Sequence, residues 1–209
     1  MISRKILSII LLFISISAFN SPPLYQKYAR EYLLEERVDE DVIGKLTGKK
    51  PLSKSELQEL SGFDNISVLH LLASNPSITE EMFNKFSKMG VDDIKTGLAS
   101  NSKLSIERIL SFRNKGKYST VNGYVASNSN VPSEILSEMY KNKEALNVNF
   151  AINPNCPESV MASIYKNGND IDKAWLATNP NLPADLFNKL KNSKSKIIAN
   201  YAKINPQYK

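Results

Sequence analysis

The chain repeats itself about every 26 residues, and this constrains its fold more than any other feature. Ala177-Thr178-Asn179-Pro180-Asn181-Leu182-Pro183 returns as Ala151-Ile152-Asn153-Pro154-Asn155-Cys156-Pro157 and as Ala73-Ser74-Asn75-Pro76-Ser77-Ile78-Thr79. Looser copies begin at Ala99 and Ala126. A first apolar position is held by Leu52, Ile78, Leu104, Val131, Cys156 and Leu182, at spacings of 26, 26, 27, 25 and 26. Eight residues later stand Leu60, Phe86, Phe112, Met139, Ile164 and Leu190. Between them lie Leu57, Phe83, Ile109, Ile135, Val160 and Leu186. Those offsets place an apolar seam on one face of a helix. An alanine closes every unit (Ala73, Ala99, Ala126, Ala151, Ala177, Ala202), leaving room for a neighbouring backbone. Such periodicity marks stacked helical units.

Local chemistry agrees with the period. Ser53, Thr79, Ser105, Pro132, Pro157 or Pro183 follows the first apolar position, where a helix start favours a capping hydroxyl or a proline. Glu80, Glu107, Glu134, Glu158 and Asp185 fall in the first turn, suiting the helix dipole. Asn after the alanine is expected to end the second helix, because it tolerates non-helical and left-handed backbone. A following Pro pushes that Asn out of the helical region. A unit alone buries four or five Leu-sized side chains at roughly 1.5–3 kcal/mol each. That does not offset ordering some 26 residues at about 1–2 kcal/mol apiece, so units must stack. The expected fold is all-α: a right-handed α-solenoid of about six helix–loop–short-helix repeats over residues 52–209.

The phrase at 177–187 resembles the leucine-rich repeat variant family, whose units alternate an α-helix with a shorter, often 3₁₀, helix. The likeness covers about residues 52–206 and is most specific at 151–165 and 177–190. It implies a scaffold and no chemistry. Units here are slightly longer than that family's, which leaves room for a fully α second helix. The cysteine cluster that holds an iron–sulfur centre in one member has no counterpart.

Ahead of the repeats, residues 1–21 read as a signal peptide. Arg4 and Lys5 precede an uncharged run of 14 residues, Ile6–Phe19, with Ser15, Ser17 and Ala18 near the cleavage region. About 20 apolar residues are needed to span a bilayer, so cleavage and export, periplasmic or secreted, are expected over an uncleaved anchor. Residues 22–51 break the repeat. Tyr25, Tyr28, Ala29, Tyr32 and Leu33 share one helical face there, as in an N-terminal cap over the first unit's open edge.

Composition narrows the function. Without residues 1–21 the chain carries 25 basic and 21 acidic side chains, a mild +4 that does not mark a nucleic-acid binder. Cys156, the only cysteine, occupies a core position and reads as a buried apolar residue. His70, the only histidine, lies inside a predicted helix and rules out a multi-histidine metal site. Asp92-Asp93 and Asp170-Ile171-Asp172 lack a calcium loop's run of ligands and read as caps of second helices. No enzyme, cofactor or metal is expected.

The expected role is a monomeric scaffold binding another protein, an immunity or inhibitor protein being one version. The binding candidates are Trp175, Tyr140 and Tyr165, where a fixed frame carries varying aromatics. A second class is docking on an anionic envelope polymer or lipid surface through Lys189, Lys191, Lys194 and Lys196.

Overall fold

A computed structural model of the chain describes residues 52–61 and 66–208. The signal segment 1–21, the cap 22–51, the side chain of Leu60 and Lys209 lie outside the described residues. Among those described, every regular element is a helix, twelve in all, and there is no strand. The chain divides into two compact units, Met1–Phe112 and Arg113–Lys209, the division falling between the helices of the third sequence repeat.

The first unit contains α1 (Lys54–Ser61), α2 (Ile66–Ser74), α3 (Glu80–Lys88), α4 (Asp92–Ser100) and α5 (Ile106–Ser111). The second contains α6 (Thr120–Ser127), α7 (Ser133–Lys141), α8 (Asn147–Ala151), α9 (Glu158–Asn167), α10 (Asp170–Ala177), α11 (Ala184–Lys191) and α12 (Lys196–Ala202). Second helices of successive repeats pack on each other within each unit: α2 on α4, then α6 on α8, α8 on α10 and α10 on α12. All are α rather than 3₁₀.

Most seam positions are buried: Leu57, Phe86, Ile109, Met139, Val160, Ile164, Leu186 and Leu190. Phe83 and Ile135 are only half-buried, and their neighbours Met82 and Leu136 fill the core instead. Thr79 accepts the Met82 N–H and starts α3 so that Met82 and Phe86, four apart, face inward. Phe83 turns outward under the Arg108 guanidinium, 4.2 Å from its centroid, while Arg108 grips Glu80 through two hydrogen bonds of 2.9 and 2.6 Å. Seam positions Ile78 and Phe112 are half-buried as well.

The caps follow the sequence reading in part. Ser53 and Glu56 cap α1 reciprocally, each side chain accepting the other's backbone N–H. Ser105 makes no such bond to the backbone. Pro132, Pro157 and Pro183 stand at the cap itself, one residue ahead of the first turn, and their carbonyls accept the first helical hydrogen bonds. Asn169, not Asp170, caps α10, with Asp172 completing the reciprocal pair. The cap position of α4 is Val91, which leaves Asp92 and Asp93 in the first turn, Asp92 paired with Lys95 at 2.9 Å.

The asparagines correct the sequence reading most. Asn101 and Asn128 are extended (φ −71°, ψ 112° and φ −76°, ψ 125°), not left-handed. Their type is required by the side chain. In the first unit Asn101 Nδ2 donates to the Ala73 and Asn75 carbonyls at 3.0 and 2.9 Å. In the second, Asn153 does the same to Ala126 and Asn128, Asn179 to Ala151 and Asn153, and Asn205 to Ala177 and Asn179, at 2.7–2.9 Å. Each Oδ1 accepts the N–H two residues on: Lys103, Asn155, Asn181 and Gln207. All four amides are at most 2% exposed. One side chain thus satisfies two helix-end carbonyls of the preceding repeat and pins its own corner.

Gly97 shows how closely the second helices approach. A Cβ there would lie 2.5 Å from the His70 carbonyl oxygen and 2.9 Å from Ala73 Cβ. Gly97→Ala is therefore expected to push α2 and α4 apart at a cost of about 1–3 kcal/mol, despite alanine's better helix propensity. Denaturant unfolding of the variant checks this; unchanged or increased stability would contradict the packing.

Candidate functional site

Four contacts set the second helices of the second unit in register. The Ser119 N–H donates to the Glu144 carbonyl at 3.4 Å, and the Asn149 amide lies against Gly123. Asn147 Nδ2 donates to Asp172 Oδ2 at 3.0 Å, and Trp175 meets Tyr201 edge-to-face at 5.0 Å. The asparagine clamps fix the opposite helix ends. The unit therefore has two unlike edges: one of Asn-containing corners, the other of the loops joining first to second helices.

The corners 128–132, 153–157, 179–183 and 205–208 contain no charged residue. The loops 113–119, 142–146, 168–169 and 192–195 contain Lys115, Lys117, Lys143, Lys194, Arg113 and one acid, Glu144, and the last residues of the helices before them add Lys141, Lys166 and Lys191. Lys117, Lys141, Lys143, Lys166 and Lys194 are exposed, and Lys115 is 75% exposed with Glu138 at 3.6 Å. Just beyond the loops, the first turns of α10 and α12 add Asp170, Asp172, Lys173 and Lys196.

The same edge carries unburied apolar side chains. Tyr118 is 59% exposed, Leu146 54%, Ile171 58% and Ile197 40%. They stand at or just before the starts of α6, α8, α10 and α12, one per repeat. Seven large hydrophobics are exposed among the described residues, and six of them stand in or within two residues of a segment joining a first to a second helix, Tyr208 being the exception. In the first unit Ile66 and Met89 take comparable positions.

A buried polar core makes the first loops of this edge rigid. Arg113 Nε and Nη2 grip the Glu144 carboxylate at 2.7 and 2.9 Å, with side chains 3% and 0% exposed. Gly116 N–H and Asn142 Nδ2 also donate to Glu144, at 2.8 and 3.2 Å. Burial pushes the Glu144 carboxyl up, but the Arg113 fork, the Gly116 N–H and Asn142 outweigh it and hold the carboxyl below its ordinary range. Buried Asn122 donates to the Asn114 and Lys117 carbonyls and accepts the Asn114 N–H. Lys143 presents Glu144 from the left-handed region (φ 56°): its N–H and that of Glu144 donate to Tyr140 and Met139 carbonyls, a helix stop usually built on glycine. No glycine or asparagine at 143 signals this stop. Arg113 and Glu144 meet across 31 residues, while Asn122 bonds five and eight residues back to the loop ahead of its helix; no local pattern marks any of the three.

The residues named from sequence are dispersed. Tyr140 is half-buried, edge-to-face with Phe150 at 5.3 Å, and its hydroxyl donates to Ser163 Oγ at 2.9 Å. Tyr165 is half-buried with Lys189 Nζ 5.9 Å from its ring, and Lys189 also pairs with Asp185 at 3.2 Å. Trp175 is half-buried against Tyr201, and Lys191 lies 4.5 Å over the Tyr208 ring. Lys194 and Lys196 are exposed on the loop edge. Of the predicted lysines, these two join the longer basic row; the Lys191 ammonium turns back toward Phe187 and Tyr208.

The two reactive side chains serve packing. Cys156 is buried, and burial pushes its thiol up to about 12, away from nucleophilic thiolate. His70 Nδ1 lies 2.6 Å from the Asp93 carbonyl oxygen; as a carbonyl only accepts, this nitrogen carries the proton and ties α2 to α4. Among the described residues no group of three or more His, Cys, Asp and Glu could hold a metal, and no helix is long and apolar enough to cross a membrane. Comparison of the chain with protein-family models, curated proteins and solved structures gave no match.

Proposed function

We propose that this chain is a non-catalytic helical-repeat scaffold that binds an anionic partner through the loop edge of residues 113–197. The observation that carries the reading is the contrast between edges: corners 128–132, 153–157, 179–183 and 205–208 without charge on one, six exposed lysines and four exposed apolar side chains on the other. In this reading the six sequence repeats stack as a right-handed solenoid behind a cap at 22–51, akin to the leucine-rich repeat variant architecture but with α second helices. The i to i+26 clamps of Asn101, Asn179 and Asn205 support it, because they recur at the repeat period. The N-terminal 21 residues direct export, the scaffold is a monomer, and nucleic acid is not its partner.

Site-specific photocrosslinking in the native envelope tests this. A crosslinker at Ile171 is expected to capture a partner, while one at Asn155, on a corner, is not. Equal capture from both positions, or none from Ile171, would sink the assignment of this edge.

A further inference from the structure

We infer that the partner of this edge is an anionic lipid surface, into which Tyr118, Leu146, Ile171 and Ile197 insert while the loop lysines meet the headgroups. The inference rests on the loop edge being the contact surface, as proposed above. Charge and shape both favour lipid. Lysine is depleted from the centres of protein–protein interfaces, yet here it stands beside three of the four exposed apolar side chains, Ile171 alone lying between Asp170 and Asp172. Lys115 and Lys117 flank Tyr118, Lys141 and Lys143 precede Leu146, and Lys194 and Lys196 precede Ile197. A lysine beside a shallow apolar anchor lays its stem along the acyl boundary and keeps its ammonium among phosphates. The apolar groups stand singly, one per repeat, so they offer a row of shallow anchors instead of the contiguous patch that a packed protein anchor requires. Tyrosine at one end suits the headgroup level, where its ring is apolar and its hydroxyl stays wet.

The acids nearby do not cancel this field. Glu144 is consumed by Arg113, and Glu138 pairs with Arg113 and Lys115. Asp172 keeps its charge while hydrogen-bonded to Asn147 and Asn169, but with Asp170 it is outnumbered by Lys166, Lys173, Lys194 and Lys196 in the same two repeats. Asp170 is the remaining exposed carboxylate at the edge. The Glu144 and Asn122 networks hold Tyr118 and its lysines in a preset loop, which reduces the ordering cost of docking.

The test uses the full chain and sedimentation with vesicles of phosphatidylcholine alone or with about one-third phosphatidylglycerol. Because the N-terminal run Ile6–Phe19 is itself apolar, the readout is the effect of changes at the edge. The native chain should partition at least about tenfold better into the anionic vesicles, with much of that preference lost near 0.5 M salt. Leu146→Ser, Ile171→Ser and Ile197→Ser combined should reduce partition by about tenfold while leaving the far-UV spectrum unchanged and lowering Tm only slightly, since the three side chains are 40–58% exposed. In a Trp175→Phe background, Ile171→Trp should be quenched by brominated lipid.

Three results would overturn the inference. Partition equal for both vesicle types and indifferent to the edge changes would assign binding to the N-terminal run. Salt-sensitive partition that survives all three serine changes, with no quenching, would reduce the contact to charge alone. Absence of vesicle binding alongside capture of a protein by the Ile171 crosslinker would overturn the lipid and leave the edge standing; absence of both would remove both readings.

Discussion

Replacing Asn179 by alanine is expected to cost about 4 kcal/mol, because the loss leaves several buried backbone groups unpaired at once. The amide donates to Ala151 and Asn153 carbonyls at 2.7 and 2.8 Å and accepts the Asn181 N–H at 2.9 Å, with no exposure to solvent. For a chain of 209 residues this corresponds to a fall in Tm of roughly 10 °C. Asn179→Asp is the sharper probe. It nearly preserves shape but sets an oxygen against two carbonyl oxygens. The folded state then favours the protonated acid, so the folded pKa rises above the unfolded one. Stability of this variant should therefore increase as pH falls from neutral toward about 4, where the native chain has no such gain. Thermal melts of native and variant chains across that range check the sign; parallel curves would show that the clamp is not the source of the asparagine requirement. Hydrogen exchange should quicken around 151–182 in both variants.

The second large effect is expected at the buried Arg113–Glu144 pair. Glu144→Gln removes the buried counter-charge of a guanidinium that is 3% exposed and leaves it only the partly exposed Glu138 carboxylate at 3.0 Å. Half-broken buried pairs cost about 3–5 kcal/mol, and the lower end is expected here. The pH dependence has the opposite sign to that of Asn179→Asp. Glu144 has a folded pKa depressed from 4.5, so its contribution is fully present above the unfolded pKa and is lost as pH falls through the folded value. The native chain should thus lose stability below about pH 4.5 by more than Glu144→Gln does. Unfolding in urea at neutral and acid pH measures the difference. A variant that matches the native chain at pH 7, or shows the same acid slope, would mean the pair is not holding the 113–119 loop. Crosslinking from Tyr118 should fall along with stability, since Gly116 is tethered to the same carboxylate at 2.8 Å.

Both residues show how legibility depends on the distance between partners. The 26-residue period located the helices, their starts and most core positions, because each depends on neighbours within one or two turns. Even there the seam slipped by one residue at Phe83 and Ile135. An i+4 or i+5 offset reads equally well on paper, and only packing chose Met82 and Leu136. Asparagine at the corner was seen as recurrent, yet its reason was sought in its own backbone. The true acceptors lie 26 to 28 residues earlier in the chain for Asn101, Asn179 and Asn205.

The candidate edge was legible only as its last segment. Lys194 and Lys196 stand in a short lysine-rich stretch and are therefore visible, whereas Lys115, Lys117, Lys141, Lys143 and Lys166 join them only once the second helices lie in register. Exposure of Tyr118, Leu146, Ile171 and Ile197 was equally hidden, since an isolated apolar residue at a helix start looks like core.

The sequence by itself determined that this protein is all helical, about where each helix starts and, to within one residue, which face of it is apolar, because periodicity and capping act over a few residues. It did not set helix length, since the second helices of the first unit are as long as the first. Tertiary structure alone decided what each asparagine holds, which carboxylate is buried, and that charge and exposed apolar side chains share one edge. Those outcomes depend on pairs a whole repeat apart, whose meeting is set by how one helix rests on the next.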